Sequence, residues 1–365
     1  MGSLFDYIDW RGDIPFSTLG ICEIDNMVFS QICYVDFKRI VPVSVAARPV
    51  SFVSAAKRYM QIHNGEPINL GAIMPPEVIT LMTKAARSAR FSTVRMVGYV
   101  NKVSDNEQKQ FSAVTFLVGD DVCFVAYRGT DDTIVGWKES FNMSFMSPIP
   151  AQTEAVKYLE GVALAHPERR IYVGGHSKGG NLAVYAAVKC SEEINRRIVA
   201  VYSNDGPGFD RAFIESAEYR ATRERIHTIV PQTSIVGMLL EHEDRYDVVQ
   251  SSYNGLLQHN AFSWDIIGGK FVRHETVTEE SRRIDRTLKK WMNEMSVEKR
   301  KKTIDSLYEI LASTNAKTLT DLNTDKLKLL KAWNMMDAES KKFIKRCITL
   351  VVKNGKAKEN RKKQP

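Results

Sequence analysis

The chain has 365 residues, 44% of them hydrophobic and 26% charged, which excludes a disordered polymer and leaves room for one large core with appendages or for two ordinary domains. No run approaches the roughly 18 uninterrupted apolar residues of a membrane helix. The opening MGSLFDYIDWRGD has neither the basic nor the apolar region of a secretory signal, and Asp6 stands where a myristoylation signal wants Ser or Thr. The net charge of +8 is uneven, because 23 Lys/Arg face 12 Asp/Glu between Glu279 and Pro365. The basic character therefore belongs to the C-terminal part and bears on partners and solubility, not on fold.

Taken in chain order, residues 1–90 carry helical patterns around Glu23–Phe37 and Pro76–Arg87 and are expected to pack as a mainly helical segment on the core. TVRMVGYVNKV, FSAVTFLV and VCFVAYRG then read as strands, short, aromatic and β-branched, with the turn formers SDNEQ and GDD between them. From there helix and strand alternate. Thr153–Ala165 is an amphipathic helix, IYVGG a buried strand, NLAVYAAVKC an apolar helix, and RIVAVYS, RIHTIV and RYDVVQSS further strands. This alternation predicts an α/β fold with a mostly parallel sheet covered by helices on both faces, over 91–276.

Beyond Thr276 the β signal stops. Ile284, Leu288, Trp291 and Met295, then Ile304, Leu307, Ile310 and Leu311, recur at helical spacing amid charge, predicting a helical extension over 277–352. The basic stretch 353–365 is too polar to pack and reads as a disordered tail. It has no nucleic-acid motif or interleaved aromatics, so nucleic acid is not expected, while weak contact with an anionic membrane or polyanion stays open. Cys22, Cys33, Cys123, Cys190 and Cys347 are odd in number and mostly sit in apolar runs, which suits reduced thiols in a cytoplasmic protein. No CxxC or HExxH appears, and neither a metal nor a cofactor is expected.

The sharpest signal is IYVGGHSKGGNLAVYAA, where Gly175, Ser177 and Gly179 form G-x-S-x-G between an apolar strand and an apolar helix. That is the setting of a nucleophile elbow. A serine on so tight a turn leaves no room for side chains two residues before or after it, and the helix start points free N–H groups at a developing oxyanion.

VAYRGTDDTIVGW followed by GGHSKGGNLA resembles the class 3 lipase group of α/β-hydrolases. More closely, YIDWRGD, RGTDDT, GHSKGGNLA, NDGPGF and SIVGMLLEHE…QH…SW together resemble the bacterial Mbeg-like family, a lipase-like family of undetermined function, over most of residues 1–310. The resemblance implies an α/β-hydrolase fold and a serine acyl hydrolase acting on a small-molecule or lipid ester. It places oxyanion donors at Thr130 and at the amide of Lys178.

The base that a serine needs is His259, which follows the last strand pattern in LLQHNAFSW, with Trp264 nearby as the resemblance implies. The class 3 acid motif falls on Ser234-Ile235-Val236-Gly237, with no carboxylate. The acid is then Asp205, just past a strand in VYSNDGPGF, with Ser234 as a neutral orienter or Glu241 or Asp244 as alternatives. Lys178 replaces a residue that is apolar in many class 3 lipases, and implies a carboxylate partner, such as Asp131 or Asp132 or another acid, or an anionic substrate group. The lost acid at 234 also admits a non-catalytic scaffold that binds a lipid or protein partner. The sequence is silent on a lid, although Thr133–Pro150, with Phe141, Met143, Phe145 and Met146, falls where class 3 lipases carry one.

Overall fold

The computed structural model describes residues 1–64, 75–131, 133–241, 245–312, 318, 333, 334, 336–338, 340–342 and 345, without the side chains of 288, 291–293, 311 and 312. The strands in chain order are β1 (Val50–Ser51), β2 (Arg95–Ser104), β3 (Lys109–Val118), β4 (Val122–Tyr127), β5 (Arg170–His176), β6 (Ile198–Asn204), β7 (Ile226–Pro231), β8 (Asp247–Val249), β9 (Ile266–Ile267), β10 (Lys270–Phe271) and β11 (Arg273–His274). All but β9 and β10, which pair separately, form one mixed nine-stranded sheet in the order β1-β2-β3-β4-β5-β6-β7-β8-β11.

β1 to β4 pair antiparallel, as does β11 with β8, while β4 to β8 run parallel through the centre. With helices around it, this is an α/β-hydrolase fold. The strand runs expected from the sequence fall on β2 to β8. The two-residue β1 and β11 lie outside those expectations, because two residues give no readable alternation.

β4 shows why both faces are covered. Val122, Phe124 and Ala126 enter one apolar cluster with the helices Leu4–Arg11, Glu23–Ile32, Phe52–His63 and Glu77–Arg87. Cys123, Val125 and Tyr127 enter a second with Pro150–Ala165 and Lys178–Lys189. A strand whose side chains alternate between two buried clusters reads as a continuous apolar run, as VCFVAY does.

The N-terminal helices are pinned by charge as well. Arg90 and Asp25, both fully buried, pair at 2.6 Å, and the rest of the guanidinium donates to the carbonyls of Ile14, Leu19 and Gly20. Further along, the helices Glu279–Glu294 and Val297–Ala312 bury Ile284, Ile304 and Ile310; the side chains of Leu288, Trp291 and Leu311 and the whole of 353–365 lie outside the described residues. Cys22, Cys33, Cys123 and Cys190 are free thiols, and Cys347 lies outside the described residues. Among the described residues no helix is long and apolar enough to cross a membrane.

Candidate active site

β5 delivers Ser177 directly into the helix Lys178–Lys189. Ser177 has φ 58 and ψ −133, a left-handed backbone that costs a non-glycine residue about 1–3 kcal/mol and persists only where its surroundings enforce it. Both flanking glycines are obligatory. A Cβ on Gly175 would stand 2.3 Å from the Gly179 carbonyl carbon, and one on Gly179 would stand 2.1 Å from the Tyr127 carbonyl oxygen.

Two loops close on this turn. The Ser177 amide donates to the Asn204 carbonyl at 2.9 Å. A methyl on Gly206 would meet the Ser177 carbonyl oxygen at 2.8 Å, and one on Gly129 would meet the Ser177 Cβ at 3.0 Å. The acid-bearing loop and the Arg-Gly-Thr loop thus abut the serine from two sides.

Asp205 follows β6 with φ 48, a conformation that Asp tolerates better than most residues. Its carboxylate is buried and meets His259 Nδ1 at 2.6 Å through Oδ2. Oδ1 accepts from the Ser234 hydroxyl at 2.5 Å and from the Gly237 amide at 3.1 Å. Ser234, weighed as an alternative orienter, therefore serves Asp205 and not the imidazole. Gly237 is required there, since a Cβ would stand 2.2 Å from Asp205 Oδ1. With Nδ1–H donating to the carboxylate, the His259 Nε2 keeps a free lone pair.

Glu241 does not join this group. It pairs through its backbone with Phe209, and its carboxylate lies 3.7 Å from Lys289. Asp244 lies outside the described residues.

His259 ends a short 3-10 turn, Gly255–His259, held from within by buried polar groups. The Gln258 side chain accepts from the Thr233 amide at 2.7 Å and donates to the Tyr253 carbonyl at 2.9 Å, and the Trp264 indole donates to the Gln258 carbonyl at 2.8 Å. His176, the residue before Ser177, donates from Nε2 to the His259 carbonyl at 2.8 Å, and its ring lies 4.5 Å from the His259 ring. Burial first, and then the charge of His259, push His176 down to about 3. It stays neutral beside an imidazole that can take a proton.

On the opposite side, the Thr130 hydroxyl lies 2.6 Å from the Ser140 hydroxyl, which itself donates to the Gly136 carbonyl at 2.9 Å. The Thr130 proton is thus directed at Ser140. Among the described residues, neither the Thr130 amide nor the Lys178 amide donates a hydrogen bond within the protein.

The Lys178 side chain is 1% exposed and its partner is Glu139, at 2.7 Å, rather than Asp131; Asp132 lies outside the described residues. Lys178 Nζ also donates to the Gln110 carbonyl at 2.7 Å and to Gln110 Oε1 at 2.6 Å. Glu139 further accepts from the amides of Gln110 at 3.0 Å and Ala151 at 2.9 Å. All three ammonium protons are spent, so Lys178 offers an amide, not a charge, to its surroundings. Removing one member of such a pair costs about 3–5 kcal/mol, because the other is left as an uncompensated buried charge. Asp131 instead holds Arg128 at 2.8 Å, in a structural ion pair.

Several of these positions escaped sequence reasoning. Ser234 stands in the sequence as a neutral orienter of the imidazole, and nothing local marks it as a donor to Asp205 instead. Gly237, Gln258 and Glu139 act across 32, 25 and 39 residues of chain, a distance over which spacing patterns carry no signal. An open cavity of about 280 Å³ borders Met143, Phe145, Met146, Phe209 and Leu240, between the loop after the helix Ile134–Asn142 and the loop after Asp205.

A strained serine at the end of a central parallel strand, with a buried Asp paired to a part-exposed His on nearby loops, is the layout of an α/β-hydrolase site. A model of the Mbeg1-like family matches residues 85–309. The chain belongs to the Mbeg1-like family.

Among solved structures it is similar to the Rhizomucor miehei lipase propeptide complex at 16% identity, over 44% of this chain and 57% of that one, with a TM-score of 0.34. It is similar also to M37 lipase at 15% identity, over 58% and 68% of the two chains, TM-score 0.37, and to lipase II from Rhizopus niveus at 11%, over 62% and 79%, TM-score 0.38. The match thus spans less than two thirds of the Rhizomucor miehei chain. No curated protein matches this chain.

Proposed function

We propose that the protein is a serine acyl hydrolase acting on carboxylic esters through an acyl-enzyme. The Ser177 hydroxyl attacks the ester carbonyl while His259 Nε2 takes its proton, and the carbonyl oxygen becomes an oxyanion held by the amides of Thr130 and Lys178. Collapse breaks the bond to the alcohol, which leaves with the proton from His259. Water, deprotonated by the same imidazole, then releases the acid and restores Ser177. Asp205 keeps His259 in the tautomer with Nδ1 protonated and stabilises the imidazolium formed in each half-reaction.

The observation that carries this reading is the 2.6 Å contact between His259 Nδ1 and a buried Asp205, whose loop abuts a serine in a strained elbow. A carboxylate buried with three donors, one of them an imidazole, at the C-terminal end of an inner strand suits an acid that fixes the imidazole's tautomer.

Fluorophosphonate labelling of the purified protein tests the reading. The wild type is expected to be labelled and Ser177→Ala not. An unlabelled wild type favours a scaffold that binds a lipid or protein partner without turnover.

A further inference from the structure

The helix Ile134–Asn142 follows the Arg-Gly-Thr loop and is tied down on both sides. On its inner side Glu139 is fully buried against Lys178, Gln110 and the start of the helix Pro150–Ala165. On its outer side Lys138 pairs with Asp305 at 2.9 Å and lies 4.3 Å from the centre of the Tyr308 ring, both on the helix Val297–Ala312. Just beyond it, the Arg300 guanidinium donates to the Ser144 carbonyl. The same helix carries Ser140, which holds the Thr130 hydroxyl.

Resting on the acyl-hydrolase reading above, we infer that Lys178 and Glu139 are positioning residues that fix the helix Ile134–Asn142 as a permanent wall and, through Ser140, set Thr130 beside Ser177, so that the substrates are dissolved esters taken singly rather than lipid at an interface. The helix cannot swing outward without uncovering two charges whose hydrogen bonds are all internal. It also cannot move independently of the site. Lys178 directly follows Ser177, and its own amide is the second oxyanion donor, so displacing Glu139 pulls on both donors at once. Opening and catalysis are mutually exclusive in this arrangement, and a surface-opened state has no role.

The first test is hydrogen–deuterium exchange of the full-length wild type, which reads the wall without reference to activity. The amides of 134–142 are expected to exchange at rates within about twofold with and without neutral detergent micelles; exchange about tenfold faster or more on adding micelles overturns the wall. The second test is the rate on a p-nitrophenyl ester raised through its solubility limit, expected to saturate smoothly. A jump of about fivefold or more at the limit overturns the dissolved-substrate assignment.

The third test separates positioning from packing. Glu139→Gln is expected to lower kcat by about tenfold or more with KM changed less than about twofold. The double variant Lys178→Met/Glu139→Leu leaves neither charge unpaired but strands the Gln110 and Ala151 amides, and is expected to regain part of the thermal stability lost in Glu139→Gln without regaining kcat. Recovery of both reduces the pair to packing and overturns the positioning role. Should Glu139→Gln fail to fold, the double variant and the wild-type exchange decide. A wild type that neither hydrolyses esters nor labels with fluorophosphonate sinks the acyl-hydrolase reading, while the exchange arm still judges the wall.

Discussion

The two sides of the candidate site are wired differently. On the histidine side, Asp205 is held by neutral donors, a serine hydroxyl and a glycine amide, and its charge is opposed only when His259 takes a proton. On the Thr130 side, a full ion pair is buried and saturated, and what it leaves facing the serine is backbone. The difference teaches how charge is rationed around a serine on a strained elbow. On the proposed mechanism, the side that changes protonation keeps one unopposed carboxylate, while the side that holds still cancels its charges in place. In sequence a lysine next to the serine calls for a carboxylate partner or an anionic substrate group, and in the structure it has the carboxylate of Glu139 and is a peg.

This contrast can be broken at graded strengths. The largest effects are expected at the couple itself. Ser177→Ala and His259→Ala should each remove nearly all ester hydrolysis, about a thousandfold or more, with the double variant little worse than either, because the residues act as one unit. Additive losses measured in kcat/KM would separate them. Asp205→Asn should lower turnover by about a hundredfold or more while the protein stays folded, by leaving the imidazole in the wrong tautomer. Wild-type kinetics in that variant would remove Asp205 from the mechanism.

A step smaller, Ser234→Ala takes one neutral donor from the carboxylate. The loss of a hydrogen bond to a charged group, about 1.5–3 kcal/mol, should appear in the thermal midpoint and as a several-fold fall in kcat. An unchanged midpoint would show that the Gly237 amide alone suffices.

The smallest expected effect is on pH dependence. His176 sits far below its ordinary 6.5, so the unfolded chain binds more protons than the folded one between about 6.5 and 3. Stability should therefore be fully present above pH 6.5 and decline as the pH falls through that window. His176→Gln should flatten this slope, and chemical denaturation at pH 7 and pH 5 in both proteins reads it. Equal slopes would place the acid sensitivity elsewhere.

Much of the architecture was legible because buried parallel strands and the helices between them leave runs that periodicity can read: VCFVAY, IYVGG and NLAVYAAVKC fall on β4, β5 and the elbow helix. Ser177 was legible for a steric reason, since glycines at 175 and 179 are needed wherever a side chain is lifted on such a turn. Asp205 and His259 could be selected by their place after strands. Their meeting could not be read, because it depends on Ser234, Gly237 and Gln258, which become neighbours only once β6, β7 and β8 pair. Glu139 was invisible in the same way, because its partners Lys178, Gln110 and Ala151 lie far from it along the chain or meet it only once the sheet forms.

The reciprocal amide pair of Asn26 and Asn204 sets an order on assembly. Each side chain donates to the other, at 2.9 and 3.1 Å, both are fully buried, and Asn204 also holds the Gly175 carbonyl at 2.9 Å. The partners are 178 residues apart, so a ribosome adding roughly 5–20 residues per second makes Asn26 wait about 10–35 s for its mate. During that time the helix Glu23–Ile32 displays Met27, Val28 and Phe29, which the finished fold covers completely or nearly so. Until Asn204 is made the cover of this helix is incomplete, so slowing translation between residues 26 and 204 should lower the yield of folded protein more than slowing it afterwards.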